Sequence, residues 1–122
     1  MGLVAEAEQP SGPSVAETIR ELTRRHLEER DGLLLGENIS AVGWVNGTVP
    51  PTKNIVELPM TDVAGSGFAV GAALVGRRPI FVVRFQDFLV LNGSALINYA
   101  AKTLELHGVP APMMIRALAI DN

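Results

Sequence analysis

The chain has no cysteine. Disulfides, thiolate metal sites and thiol redox chemistry are therefore closed to its own residues. Aromatic residues are scarce, at 5 %, with one Trp and one Tyr, so the core must be aliphatic. The two histidines, His26 and His107, have no companion ligands near them in sequence, which argues against a metal site built by this chain. An excess of basic charge is also lacking. The net charge of −3 offers no electrostatic footprint for nucleic acid or an anionic membrane. The longest apolar stretch, around Phe68 to Val75, is too short to cross a bilayer. No basic-then-apolar leader opens the chain, and Glu6 stands where a myristoylation signal needs Ser or Thr. Without an export signal, the glycosylation-type triplets at Asn46 and Asn92 are read as chance matches. A cytoplasmic protein is the expectation.

What is present is a chain of 122 residues, 48 % apolar, enough for one domain with a sizeable core. Residues 1–13 read as a disordered tail ending at Gly12-Pro13, and residues 14–122 as a single module. Ser14-Val15-Ala16-Glu17 has the form of a capping box and predicts a helix to about Glu29, with Val15, Ile19, Leu22 and Leu27 inward. His26 lies at the edge of that stripe and reads as an ordinary boundary residue. Asp31-Gly32 is a turn into a short buried strand, Leu33 to Leu35, which Gly36-Glu37-Asn38 ends. Gly43 to Asn54, with Pro50-Pro51, reads as a surface loop.

The organising stretch is Leu58 to Phe88. Around it the pattern gives a strand Ile55 to Leu58, a helix Val63 to Val75 and a strand Pro79 to Val83. Strands apolar at every position, joined by a helical crossover, predict an α/β fold: a parallel sheet with helices on both faces. The helix is crowded with Gly65, Gly67, Gly71 and Gly76, which reads as close packing against another backbone. A phosphate-cradling loop is rejected, because Gly65-Ser66-Gly67 lacks the lysine and the spacing. A long helix is expected over Phe88 to Leu106, with Leu91, Ala95, Ile97, Ala100, Ala101 and Leu104 inward, capped at Gly108. His107 then falls in its last turn. Met113 to Ala117 is a last strand, so the module looks incomplete at its carboxyl end.

In a parallel sheet, working residues gather at the carboxyl ends of the strands. Glu37, Asp62 and the run Arg84 to Phe88 fall at such ends. Asp62 has two readings: an N-cap for the following helix, or a carboxylate exchanging a proton with a heterocycle nitrogen. Glu37 is either a solvated loop acid or a second acid facing the same ligand. Phe85 and Phe88 either fill the core or stack on a planar ring.

Several segments recur together in one known family. They are Leu35-Gly36-Glu37, Leu58-Pro59-Met60-Thr61-Asp62, and Phe68-Ala69-Val70-Gly71 running on to Gly76-Arg77-Arg78-Pro79. Phe85-Gln86-Asp87-Phe88 and Ile97-Asn98-Tyr99-Ala100-Ala101-Lys102 complete the set. In this order the chain resembles the beta subunit of thiamine-diphosphate-dependent 2-oxo acid dehydrogenases, a transketolase-like family. The resemblance covers residues 14–122, about the first third of such a subunit. It implies the pyrimidine-binding module of the thiamine diphosphate fold. An alpha-type partner would hold the diphosphate and its magnesium, as in a heterotetramer, and a lipoyl domain or acyl carrier would take the product.

By the same resemblance Asp62 hydrogen-bonds the pyrimidine nitrogen para to the amino group, Phe88 stacks on the ring and Arg84 forms the pocket wall. Glu37 belongs to the acidic path between paired active sites. The chain departs from the pattern in three ways. Asp62 stands where the family has Glu, Arg84 replaces a neutral side chain, and the loop from Glu37 to Asp62 is short. Two further readings follow: a two-component transketolase-like transferase of a two-carbon or acyl unit, and a non-catalytic structural subunit.

Overall fold

The computed structural model describes residues 11–41, 43–61 and 63–119. Residues 1–10 of the expected 1–13 tail, and Asp62, lie outside the described residues.

Helix α1 (Val15–Glu29) begins as its sequence dictates: the Ser14 hydroxyl accepts from the Glu17 amide, and the Glu17 carboxylate accepts from the Ser14 amide. That box satisfies two amides the first turn would otherwise leave unpaired. The Ser14 backbone amide, and then its hydroxyl, hold the Glu17 carboxyl below its usual value of 4.5. A carboxyl lowered on folding stabilises the folded chain above its unfolded value and ceases to do so as pH falls through the folded one. Helix α1 should therefore keep this contribution above about pH 4.5 and lose it in acid. Ser14→Ala should cost about 1 kcal/mol at neutral pH, read as a shift in the denaturation midpoint.

Four strands follow: β1 (Gly32–Glu37), β2 (Ile55–Leu58), β3 (Arg78–Val83) and β4 (Met114–Ala117). They form one sheet in the order β2-β1-β3-β4, every pair parallel. Alternate side chains of β1 and β3 serve opposite faces. Leu34, Ile80 and Val82 pack under Leu27 of α1, while Leu35, Phe81 and Val83 pack under Ala69 of helix α3 (Ala64–Leu74). The sheet is thus covered on both sides, as its unbroken apolar strands require.

At Gly36 the backbones of β1 and β3 come very close: a Cβ there would lie 2.5 Å from the Val82 carbonyl oxygen. Gly65 is the one glycine of α3 that tight packing explains, its Cβ position lying 3.2 Å from the Phe81 ring. Among the described residues nothing lies within 4 Å of the Cβ positions of Gly67 and Gly71, so close packing against them does not account for these two glycines.

The segment expected to be a surface loop is partly core. Gly43–Gly47 makes one left-handed turn, α2, with φ of +56°, +55° and +54° at Trp44, Val45 and Asn46. Left-handed backbone costs roughly 1–2 kcal/mol per non-glycine residue. Burial offsets it, since Val45 and Val49 join the cluster beneath α1, Val49 fully enclosed.

The expected long helix is three pieces: α4 (Phe88–Gly93), a π-helical segment (Ser94–Ala100) and α5 (Thr103–His107). A glycine and a serine meet where the hydrogen-bond pattern changes, and both are weak helix formers. Gly108 ends α5 in the left-handed conformation, φ +68°, as its position predicts. The inward residues are Asn92, Leu96 and Thr103, not Leu91, Ile97 and Leu104, which are exposed. Likewise on α1 the buried side chains are Thr23 and Leu27, while Val15 and Leu22 face outward.

Candidate functional site

Strands β1, β2 and β3 end side by side, with Glu37 opposite Leu58 and Gly36 opposite Val82. A cavity of about 400 Å³ opens above these ends. Phe81, Val83 and Gly65 give it an apolar floor, Phe85 and Phe88 a ring-bearing wall, and Glu37, Asn38, Arg84 and Asn92 its polar groups.

Glu37 is the last residue of β1, and its side chain is already committed. One carboxylate oxygen accepts from the Thr61 amide at 2.7 Å and from the Thr61 hydroxyl at 3.0 Å. It is therefore not the solvated loop acid that its position alone allowed. The chain entering residue 62 is pinned to the end of β1 by two hydrogen bonds to a charged acceptor, the stronger kind.

Glu57, on β2, was not singled out by sequence. Its carboxylate accepts from the Ile39 amide at 2.7 Å, the Ser40 amide at 3.1 Å and the Ser40 hydroxyl at 3.0 Å. That fixes the turn leaving β1. The only signal for it in sequence is an acid within a strand, a residue type depleted there.

Arg84 follows β3 directly. Its guanidinium donates to the Asn38 carbonyl at 3.3 Å and lies 5.7 Å from the Phe85 ring centre. It stands between the main cavity and a smaller one of about 200 Å³ that also touches Glu37 and Phe85. Phe85 and Phe88 meet edge to face at 5.9 Å. Phe88 lines the cavity and is 41 % exposed, so it is no core residue and the packing reading fails for it. The N-cap of α3 falls on Val63 and carries no side-chain bond.

Asn92 is buried and takes part in the same wall. Its Oδ1 accepts from the Ser66 amide at 3.3 Å, and its Nδ2 donates to the Phe88 carbonyl at 2.9 Å. Burial also removes it as a glycosylation acceptor. His26 sits at a boundary as expected, its Nε2 2.9 Å from the Arg78 carbonyl oxygen. A further hollow of about 460 Å³ lies between α1 and β4 on the other face. There burial pushes the Arg116 guanidinium below its usual pKa, and its Nη2 donates to Thr23 at 2.8 Å. Among the described residues no group of three His, Asp or Glu could hold a metal ion, and no helix is long and apolar enough to cross a membrane.

A carboxylate-anchored turn, a pair of aromatic rings and an apolar floor thus meet at one cavity. No family model matches the chain. Curated relatives do. The chain is 30 % identical over 121 residues to the pyruvate dehydrogenase E1 component subunit beta of Chaetomium thermophilum, an alignment covering 91 % of this chain and 31 % of that protein. It is 31 % identical over 121 residues to the corresponding Rhizobium meliloti subunit, covering 88 % of this chain and 26 % of the relative. Against the 2-oxoisovalerate dehydrogenase subunit beta of Chaetomium thermophilum it is 30 % identical over 80 residues, covering 62 % and 17 %. The chain thus spans about a third or less of the curated relatives it matches.

Proposed function

This chain belongs to the transketolase-like family of thiamine-diphosphate-dependent beta subunits, and on that premise we propose that it is the pyrimidine-binding half of a two-chain enzyme. The enzyme decarboxylates a 2-oxo acid and passes on the acyl unit. The observation that supports this most is the cavity at the strand ends. An aminopyrimidine needs an apolar slot, a ring to lie against and an acid that can share a proton with a ring nitrogen. Phe88 and the floor of Phe81 and Val83 suit the first two needs. Asp62 is the acid, one residue beyond the Thr61 that Glu37 anchors.

When bound, thiamine diphosphate would supply a carbanion nucleophile for the substrate carbonyl and an electron sink for the decarboxylation. The residues of this chain prepare that chemistry. Asp62 holds a proton at the pyrimidine nitrogen, Phe88 covers the ring face and Arg84 closes the wall. Glu37 fixes the approach to Asp62 and lies at the start of an acidic path. The diphosphate and its magnesium belong to an alpha-type partner in a heterotetramer, and a lipoyl domain or acyl carrier receives the product.

The partner surface has its own support. The outward side of α3 and its flanks exposes Val63, Phe68 and Val75 at 51, 61 and 80 %, with Gly67 and Gly71 open between them. Ile97, Tyr99 and Leu104 extend the same apolar exposure along the α4–α5 segment. Apolar surface on this scale marks an interface, and bare glycines let a second helix approach closely. Phe68→Asp should leave the chain folded, because Phe68 is outside both core clusters, yet abolish co-purification of the partner in a co-expression assay.

A transketolase-like transferase is the second reading, favoured by Asp62 in place of Glu and by the short loop from Glu37 to Asp62. The acceptor decides between them. The assembled pair is given a 2-oxo acid with either a lipoyl domain or an aldehyde. Reductive acylation of the lipoyl group supports the dehydrogenase reading; ketol formation only with the aldehyde supports the transferase.

A further inference from the structure

We propose that Asn92 is a positioning residue that sets Phe88 against the bound pyrimidine; the inference rests on the reading above and deepens it. Helix α3 starts immediately after the segment that carries Thr61, and its N-cap, Val63, has no side chain able to accept a hydrogen bond. An α-helix leaves its first amides without internal partners. The Ser66 amide is one of them, and it is satisfied from outside the helix by the Oδ1 of Asn92 at 3.3 Å. The other end of the same amide group donates to the Phe88 carbonyl at 2.9 Å.

The two partners leave no freedom in how the amide is oriented. A backbone N–H requires an oxygen opposite it, and a carbonyl requires an N–H. Asn92 is 5 % exposed, and its bond with the Ser66 amide is buried. One side chain therefore ties the first turn of α3, which follows the pinned Thr61, to the residue whose ring forms the cavity wall. Both Gly65 and Asn92 line that cavity. This link fixes Ser66, and the Glu37 anchor fixes Thr61.

The two bonds can be separated by substitution. Asn92→Asp keeps an acceptor for the Ser66 amide but sets a carboxylate oxygen against the Phe88 carbonyl. Asn92→Leu removes both bonds. The experiment uses the assembled pair of chains and measures thiamine diphosphate affinity by titration calorimetry, together with exchange protection of the Ser66 amide.

The expected result for Asn92→Asp is Ser66 protection close to wild type with cofactor affinity lowered about tenfold, since a small misplacement in a site is costly. Asn92→Leu should lose both. Wild-type affinity in Asn92→Asp would overturn the positioning role, as would a loss of affinity only in step with a loss of Ser66 protection. A wild-type pair that binds no thiamine diphosphate overturns the underlying functional reading instead, so the two failures are told apart.

Discussion

Replacing Asp62 by Ala is expected to lower turnover of the assembled pair by about 10²–10⁴-fold, the range that a positioned proton-sharing group contributes. The expectation follows from position and from what surrounds it. Residue 62 follows Thr61, whose amide and hydroxyl both bond to Glu37, and precedes α3, whose first turn Asn92 holds. The segment is thus anchored on either side at the strand ends, where a parallel sheet gathers its ligands. The contrasting substitution is Asp62→Glu. Glu restores the longer side chain that the family resemblance implies and should keep or raise turnover. Steady-state kinetics on the three proteins distinguish the cases. Equal turnover in wild type and Asp62→Ala would mean that the acid is not used, and would favour a structural subunit.

The second large effect is on folding. Gly36→Ala should destabilise the chain by about 1–3 kcal/mol, the cost of overpacking a well-filled interior. The added Cβ would meet a backbone carbonyl, that of Val82, at 2.5 Å. Backbone cannot swing aside as a side chain can, and here β1 pairs with β3 at the centre of the sheet. Separating the strands would loosen Leu35, Phe81 and Val83 together, and with them the cavity floor. Thermal denaturation should show a midpoint lower by roughly 3–18 °C. Gly71→Ala is the control: nothing lies within 4 Å of its Cβ position, so the same change should leave the isolated chain's midpoint unchanged or raised.

The strands and their parallel pairing were legible because Leu33 to Leu35 and Pro79 to Val83 are apolar at every position and the turn residues between elements are strong signals. The capping box at Ser14 and the Gly108 cap were legible because their chemistry is local. The phase of the α4–α5 segment was not. It carries apolar residues on two sides, Leu96 inward and Leu91, Ile97 and Leu104 outward, so periodicity alone could not say which side faces the sheet. Of the α3 glycines, Gly65 packs as expected, whereas Gly67 and Gly71 are exposed on this chain rather than packed within it.

Of the site, Glu37, Arg84 and Phe88 were found from strand ends, and the structure brings them to one cavity. Asn92 and Glu57 were missed, because their roles depend on contacts 26 and 17 or 18 residues away in sequence. Val45 and Val49 were missed in a segment without periodicity, where burial holds a left-handed turn that propensity would not form.

The most direct measurement is a native pull-down of this chain from its own cell extract, with intact-mass, sequence and cofactor readout of what accompanies it. The account predicts a second chain carrying a magnesium-diphosphate binding segment, together with thiamine diphosphate. Recovery of the chain alone or with copies of itself, free of cofactor, would contradict it.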